Sequence, residues 1–327
     1  MSIFDVAMVG RLGSEALAAT GMGGMLVWAP MSMALGIRTA VQTVSSRRLG
    51  QKKEEESSKA FHNGLIMATV FAFPVTLIGW VYADQIVPLF LEDKTTIVLA
   101  VEYTSIAFIS LLFSVYSFVF VGFYTGVEKT KIHMTVTIVS NIINLYLNAA
   151  LIYGSEGIDL FFREVLPSLS FLKVAWEWTY FPAMGVKGAA FATLVASVWM
   201  AAHYGFYLFS KEIKTRFNVF SFSFNKEMMH KQLQLAIPMG VQECIIAFGW
   251  TFFLKVVGII GVVELATTHI IFTIMHASFM PAMGIGMACS TLVSKYMGEN
   301  KTHKSVSSIK ESVRLAEYGM GTLGISF

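Results

Sequence analysis

Charge is what this chain has least of. Only 14% of its 327 residues are Asp, Glu, Lys or Arg, where an average soluble domain carries roughly 25%. The 24 basic and 21 acidic residues leave a net charge of +3. The basic residues fall between apolar runs and not in one patch, so nucleic acid is not an expected partner. Cysteine is nearly absent: Cys244 and Cys289 are the two in the chain, and both lie inside apolar runs. Their placement suggests neither a disulfide framework nor a thiolate metal site, and they read as small apolar fillers. No nucleophile, base and orienting group occur together in a loop, and no glycine-rich phosphate loop with its lysine is present. Neither ATP use nor hydrolysis is expected, and the chain does not read as an enzyme. Residues 1–10 lack the basic start and small-residue cleavage site of a signal peptide. They read as the end of a helix whose first part is absent.

What the chain does have is apolar length. Hydrophobic residues make up 55% of it, gathered in runs that match the roughly 20 residues needed to cross a hydrocarbon core. After the initial stub, eight spans are expected: 17–44, 61–91, 97–125, 134–153, 188–209, 233–260, 265–293 and a clipped one at 306–327. A spanning segment must satisfy its own backbone hydrogen bonds, and these runs are too long and continuous for barrel strands. The expected fold class is all-α, a polytopic membrane protein.

Lysine and arginine alternate between connections. Arg47, Arg48, Lys52, Lys53, Lys59, Lys129, Lys131, Lys211, Lys214, Arg216, Lys226, Lys231, Lys295, Lys301, Lys304 and Lys310 fall at every second one. Arg11, Lys94, Arg163, Lys173 and Lys187 fall at the others, sixteen against five. By the bias of short cytoplasmic loops the richer set faces the cytoplasm.

The chain also repeats itself. A shift of 248 positions without a gap makes sixteen of the 49 residues from Val9 to Ser57 identical to their partners, among them Gly10, Leu17, Gly36, Ala40, Thr43, Ser46, Gly50 and Lys53. Both copies keep the same side basic, which requires an even number of spans per half and parallel repeats. Two homologous six-helix lobes follow as the expectation, the second incomplete: 1–210, an inter-lobe linker at 211–232, and 233–327.

Ionisable groups deep in such a span are costly and need a reason. Glu243 lies about ten residues into its span, about 15 Å at 1.5 Å per residue and so near the bilayer midplane. There its charge state responds to a bound cation or proton; the alternative is a neutral acid that hydrogen-bonds a neighbouring helix. Pro238, five residues earlier, kinks a helix by removing one backbone bond, and freed carbonyls then face either a cavity or simple packing. Asp5 is the second carboxylate, and its repeat partner is Phe253, so the halves do not carry the same site. A loop aspartate near a helix end is its plainer reading. Asn141, Asn144 and Asn148 share one span, the last two on one helical face. They offer oxygen ligands to a small hard cation or hydrogen bonds between helices. His269, Thr273 and His276 form a polar stripe that reads as a packed or cavity-lining face better than as a metal site. Arg38 sits where it can snorkel to the cytoplasmic end of its span.

Several stretches resemble one family. Asp5 with the following "MVGRLG" and "ALAA", the segment from Gly36 to "RRLGQ", "GVKGAAFATLVAS" at 185–197 and "IPMGVQECIIAF" at 237–248 are similar to successive helices of multidrug and toxic compound extrusion (MATE) transporters. Together they cover nearly the whole chain. The resemblance implies a twelve-helix exporter of two six-helix bundles, of which most of the first helix and the last three are absent here. It also implies a multi-pass protein of the plasma (inner) membrane that expels drugs or other cationic amphiphiles, by alternating access, against an inward flow of sodium ions or protons. Asp5, Asn144, Asn148 and Thr193 would form the cation-linked site of the first lobe, and Glu243 that of the second. The partners expected are organic cations or drugs, a monovalent cation or proton and membrane lipid. No cofactor or bound metal is expected beyond the coupling ion. Asn148 stands where some members carry aspartate, and the aromatic connection 154–186 is longer than usual and suits the outer membrane surface. The rival readings are a lipid-linked oligosaccharide flippase of the same superfamily, which calls for a more basic cavity than Arg38 supplies, and a membrane protein that transports nothing.

Overall fold

The computed structural model describes residues 3–164, 173–260 and 262–326. Among them every regular element is helical: α1 (Ile3–Gly10), α2 (Ser14–Gly50), α3 (Glu54–Val81), α4 (Ala83–Ile86), a 3-10 turn (Val87–Leu89), α5 (Lys94–Gly126), α6 (Thr130–Glu164), α7 (Gly185–Leu208), α8 (Lys211–Phe217), α9 (Lys226–Ile260), α10 (Val262–Gly298) and α11 (Thr302–Ser326). The all-α expectation holds. Six of them are long and apolar enough to cross a membrane: α2, α3, α5, most of α6, α7 and the first part of α9. Their outward residues fit that medium, with Val70 at 71% and Phe206 at 72% exposure.

The helices overrun the apolar runs, because their polar first and last turns stay helical in water. The opposite happens at 61–91. There α3 stops at Val81, and the remaining residues fold into α4 and the 3-10 turn, where Pro88 lies in the first turn and has no amide to extend a helix. α6 runs past the expected end at Tyr153 to Glu164, across a break at Gly154 (φ 69°, ψ 177°). That φ is costly for any residue with a Cβ, and a Cβ there would also meet Ala183.

The sequence repeat is visible in the backbone. α2 and α10 each end on a left-handed residue, Lys52 (φ 60°) and Asn300 (φ 57°), which are 248 positions apart. Each turn is closed by the same bond, Lys53 N–H to Arg48 O at 3.0 Å and Lys301 N–H to Tyr296 O at 2.9 Å. Each is then tied back by a serine hydroxyl, Ser57 to Ser45 O at 3.0 Å and Ser305 to Val293 O at 3.3 Å. Equivalent positions thus make equivalent turns, with identical donors in Lys53 and Lys301 and in Ser57 and Ser305.

By contact density the chain divides into two compact units, Met1–Met31 with Met67–Ser117 and Lys131–Tyr207, and Ser32–Ile66 with Phe118–Thr130 and Leu208–Phe327. The division passes through α2, α3 and α5, whereas the repeat is a property of sequence and runs across it. In the first unit α2 meets α5 at Gly23, where a Cβ would strike Thr104 and Tyr103, and α6 meets α7 at Gly188, under the carbonyl of Leu151. In the second, Phe61, Phe120 and Phe123 pack with ring centroids 5.0 to 5.3 Å apart about Phe61. There α2 touches α9 and α10 backbone to backbone: Gly36 lies against the carbonyl of Ala236, Gly240 against Met33, Gly50 against Lys295 and Gly298 against Arg47. Small residues are how helices approach when apolar surface gains nothing by leaving lipid.

Candidate functional site

The polar cluster of the first unit forms where α1, α5 and α6 converge. Asp5 on α1 is 5% exposed and Asn148 on α6 fully buried. The Asn148 amide donates to Asp5 Oδ1, and also to Asn144 Oδ1 at 3.1 Å. The spacing of four residues along α6 stacks the two asparagines on one face, which is why one amide reaches both acceptors. α1 is held alongside by Tyr153, whose hydroxyl donates to Met8 O at 2.6 Å. Tyr103 of α5, itself 5% exposed, stands close enough to Asp5 for phenol and carboxylate to interact electrostatically. Gly23 gives the Tyr103 and Thr104 side chains room against α2.

Two oxygens here have no hydrogen-bond partner among the described residues, Asn148 Oδ1 and Thr104 Oγ1. Buried polar atoms are nearly always satisfied, and each that is not needs a reason. A carboxylate, an asparagine oxygen that already accepts one bond and an unsatisfied amide oxygen form the donor set that a small hard cation takes.

The structure sorts the asparagines that the sequence left together. Asn141 is exposed and donates to Thr137 O of its own helix at 2.9 Å, while Asn144 and Asn148 join Asp5. Thr193 is half-buried on α7, and no described residue is hydrogen-bonded to its hydroxyl. Glu243 is half-buried on α9 and belongs to the second unit, not to the unit of Asp5. Pro238 lies within the same helix, which continues through it, and is exposed. The side chains of His269, Thr273 and His276 lie outside the described residues. Arg38 does not simply extend toward solvent: its guanidinium reaches Met287 Sδ of α10 at 2.6 Å. Nothing in the sequence marked Tyr103 or Gly23. Tyr153 carried a weak signal, a hydroxyl one turn beyond Asn148 on the same helix.

The connection after α6 is built on Tyr146. Trp176 stacks on its ring with centroids 5.0 Å apart, Trp178 donates to its hydroxyl at 2.6 Å, and Phe181 meets it edge-on. Beside this lies a cavity of about 320 Å³ lined by Ser155, Asp159, Lys173, Trp176, Glu177 and Tyr180. Lys173 pairs with Asp159 at 3.0 Å and Glu177 at 3.4 Å, hydrogen bonds that raise its pKa above the ordinary lysine value.

A family model, MatE, matches residues 1–150 and 238–320. "Probable multidrug resistance protein NorM" of Thermotoga maritima is 23% identical over 98% of this chain and 64% of its own length. "Multidrug resistance protein NorM" of Burkholderia vietnamiensis is 24% identical over 91% of this chain and 59% of its own. The chain thus spans less than two thirds of these relatives. The solved structure of a MATE protein in complex with MaL6 superposes with a TM-score of 0.82 at 21% identity, over 97% of this chain and 65% of that one. With the family model matched over most of the chain and a shared helical fold, this integral, multi-pass membrane protein belongs to the MatE family of transporters.

Proposed function

We propose that the protein acts as a secondary active transporter, exporting drugs or other cationic amphiphiles in exchange for sodium ions or protons across the plasma (inner) membrane. The observation that carries this reading is the buried Asp5–Asn148–Asn144 cluster. A membrane-embedded carboxylate with an unsatisfied amide oxygen beside it is stable when a cation or proton joins it, and that is the chemistry coupling requires. Asp5 takes the cation or proton, Asn148 orients the carboxylate and Asn144 fixes the Asn148 amide. Glu243 serves the second half, with Pro238 softening its helix one turn away. Thr193 contributes a hydroxyl from α7.

Alternating access requires two packings of the halves. Supporting it, α2 and α10 meet at the end that bears the basic loops. Gln42 donates to Met287 O at 2.9 Å and Thr291 Oγ1 at 2.8 Å, and Lys295 pairs with both Glu128 carboxylate oxygens at 2.8 Å. These contacts close the proposed cytoplasmic side, and they must break for the other state to form. Linkage then demands that ion and exported molecule alter each other's affinity by the same factor.

The test is efflux of an ethidium-type dye from cells expressing this chain, and from cells expressing it extended to the length of its relatives. Sodium and proton gradients are collapsed separately. Efflux lost with one gradient and abolished in Asp5→Asn names the ion. Efflux that survives removal of both Asp5 and Glu243 sinks the mechanism.

A further inference from the structure

Segment 209–225 joins α7 to α9, two of the membrane-crossing helices, and so runs along the membrane face that bears the basic loops. It is fastened to the protein at both ends and in the middle. Ile213 and Phe217 of α8 are 1% and 0% exposed, and Phe217 meets Phe123 edge-on at 5.7 Å. Lys129 pairs with Glu212, and Arg216 donates twice to Glu54 Oε1, at 2.8 and 2.6 Å. From α3, His62 donates to Val219 O at 2.7 Å, and Asn63 exchanges hydrogen bonds with the backbone of Asn225 at 2.9 and 3.3 Å.

The segment turns Ile213, Phe217 and Val219 inward. Yet Phe209, Phe220, Phe222 and Phe224 are 68%, 48%, 66% and 54% exposed. Four outward phenylalanines within sixteen residues are expensive in water and at home in the acyl boundary of a leaflet. Between and beside them the acids are already matched, Glu212 by Lys129 and Glu227 by Lys231 at 2.5 Å. Lys211, Lys214 and Lys226 have no carboxylate partner among the described residues, and Lys214 lies over the Phe220 ring at 5.9 Å.

We propose that this segment is a docking platform for anionic phospholipid of the leaflet it borders. The phenylalanines enter the acyl boundary, and Lys211, Lys214 and Lys226 bind the headgroup phosphate and its negative charge. Charge complementarity selects the lipid: a zwitterionic headgroup would bring a second cation against the three lysines.

The test uses the full-length protein in detergent, titrated with phosphatidylglycerol or phosphatidylcholine and read by native mass spectrometry for retained lipid. The wild type is expected to hold phosphatidylglycerol at least about fivefold more tightly, the increment of one lysine at an anionic surface. Lys211→Gln/Lys214→Gln/Lys226→Gln should abolish that preference, while the triple arginine variant keeps it. Phe220→Ser/Phe222→Ser should weaken retention of both lipids alike. Should the triple glutamine variant fail to fold, Lys226→Gln alone, at the start of α9, still has to lower the preference. Equal retention of the two lipids by the wild type, or an unchanged preference in a folded glutamine variant, overturns the proposal. So does a concentration-dependent dimer that the phenylalanine variant abolishes, which would assign the surface to a second copy of the chain.

Discussion

The reciprocal contact of Gly50 with Lys295 and of Gly298 with Arg47 makes a quantitative prediction. A Cβ on either glycine would stand under 3.0 Å from a backbone carbonyl oxygen of the facing helix, a group that cannot swing aside. Restoring ordinary contact requires α2 and α10 to separate on the order of 1 Å, and a gap of 0.5–1 Å already forfeits roughly a quarter to a half of each dispersion well along the crossing. Overpacking of this kind costs about 1–3 kcal/mol. Each single variant, Gly50→Ala or Gly298→Ala, should therefore lose stability in that range. The double variant should lose much less than the sum, because one separation relieves both clashes. A coupling of about 1 kcal/mol is expected from residues sharing one contact. The assay is a double-mutant cycle by equilibrium unfolding in detergent. Two single effects within about 0.5 kcal/mol of zero, or an additive double variant, would refute the reciprocal crossing.

Gln42 is 3% exposed and its amide bonds both Met287 O and Thr291 Oγ1. Gln42→Leu should cost about 0.6–1.7 kcal/mol, from the average to the maximum found for interhelical bonds in membranes, and Thr291→Val less, because Met287 O remains available; equilibrium unfolding separates them. Asp93 caps α5, accepting from Thr96 N and Thr96 Oγ1 at 2.7 Å each, and these bonds hold its carboxyl below the usual aspartate range. A depressed pKa stabilises the fold above the unfolded value of about 3.9 and ceases to do so as pH falls through the folded one. Wild type should thus melt above Asp93→Asn at neutral pH, and the two curves should converge in acid. Asn148→Ala removes the amide donor to Asp5, a bond to a charged group worth about 1.5–3 kcal/mol. Efflux should fall roughly tenfold or more, with Asn148→Gln no better because its longer side chain misplaces the amide. Tyr153→Phe releases Met8 O and should loosen α1 by about 1 kcal/mol, seen as faster amide exchange near Met8.

Apolar run length was enough to establish an all-α membrane fold, because a span in lipid must satisfy its own backbone and only a helix does so within one segment. The repeat was equally legible: sixteen identities at one fixed offset led to two turns with the same left-handed cap and the same serine tie. The residue types of the site were visible too, since a carboxylate and a paired asparagine in an apolar chain are costly wherever they point. What the sequence could not decide was company. Asn141, Asn144 and Asn148 look alike in the chain, and only the packing of α1 against α6 gives Asn148 to Asp5, with Asn144 bonded to Asn148, and leaves Asn141 on its own helix. Likewise 61–91 reads as one span, yet its helix breaks at Tyr82 (φ −106°, ψ 15°) and tightens into a 3-10 turn at Pro88, neither of which hydropathy registers. Tyr103 and Gly23 gave no signal, because a phenol and a glycine acquire meaning only from what stands opposite them. Spacing along a chain determines which residues share a helix face; what that face meets is a matter of distances between segments far apart in sequence, and only the tertiary structure contains them.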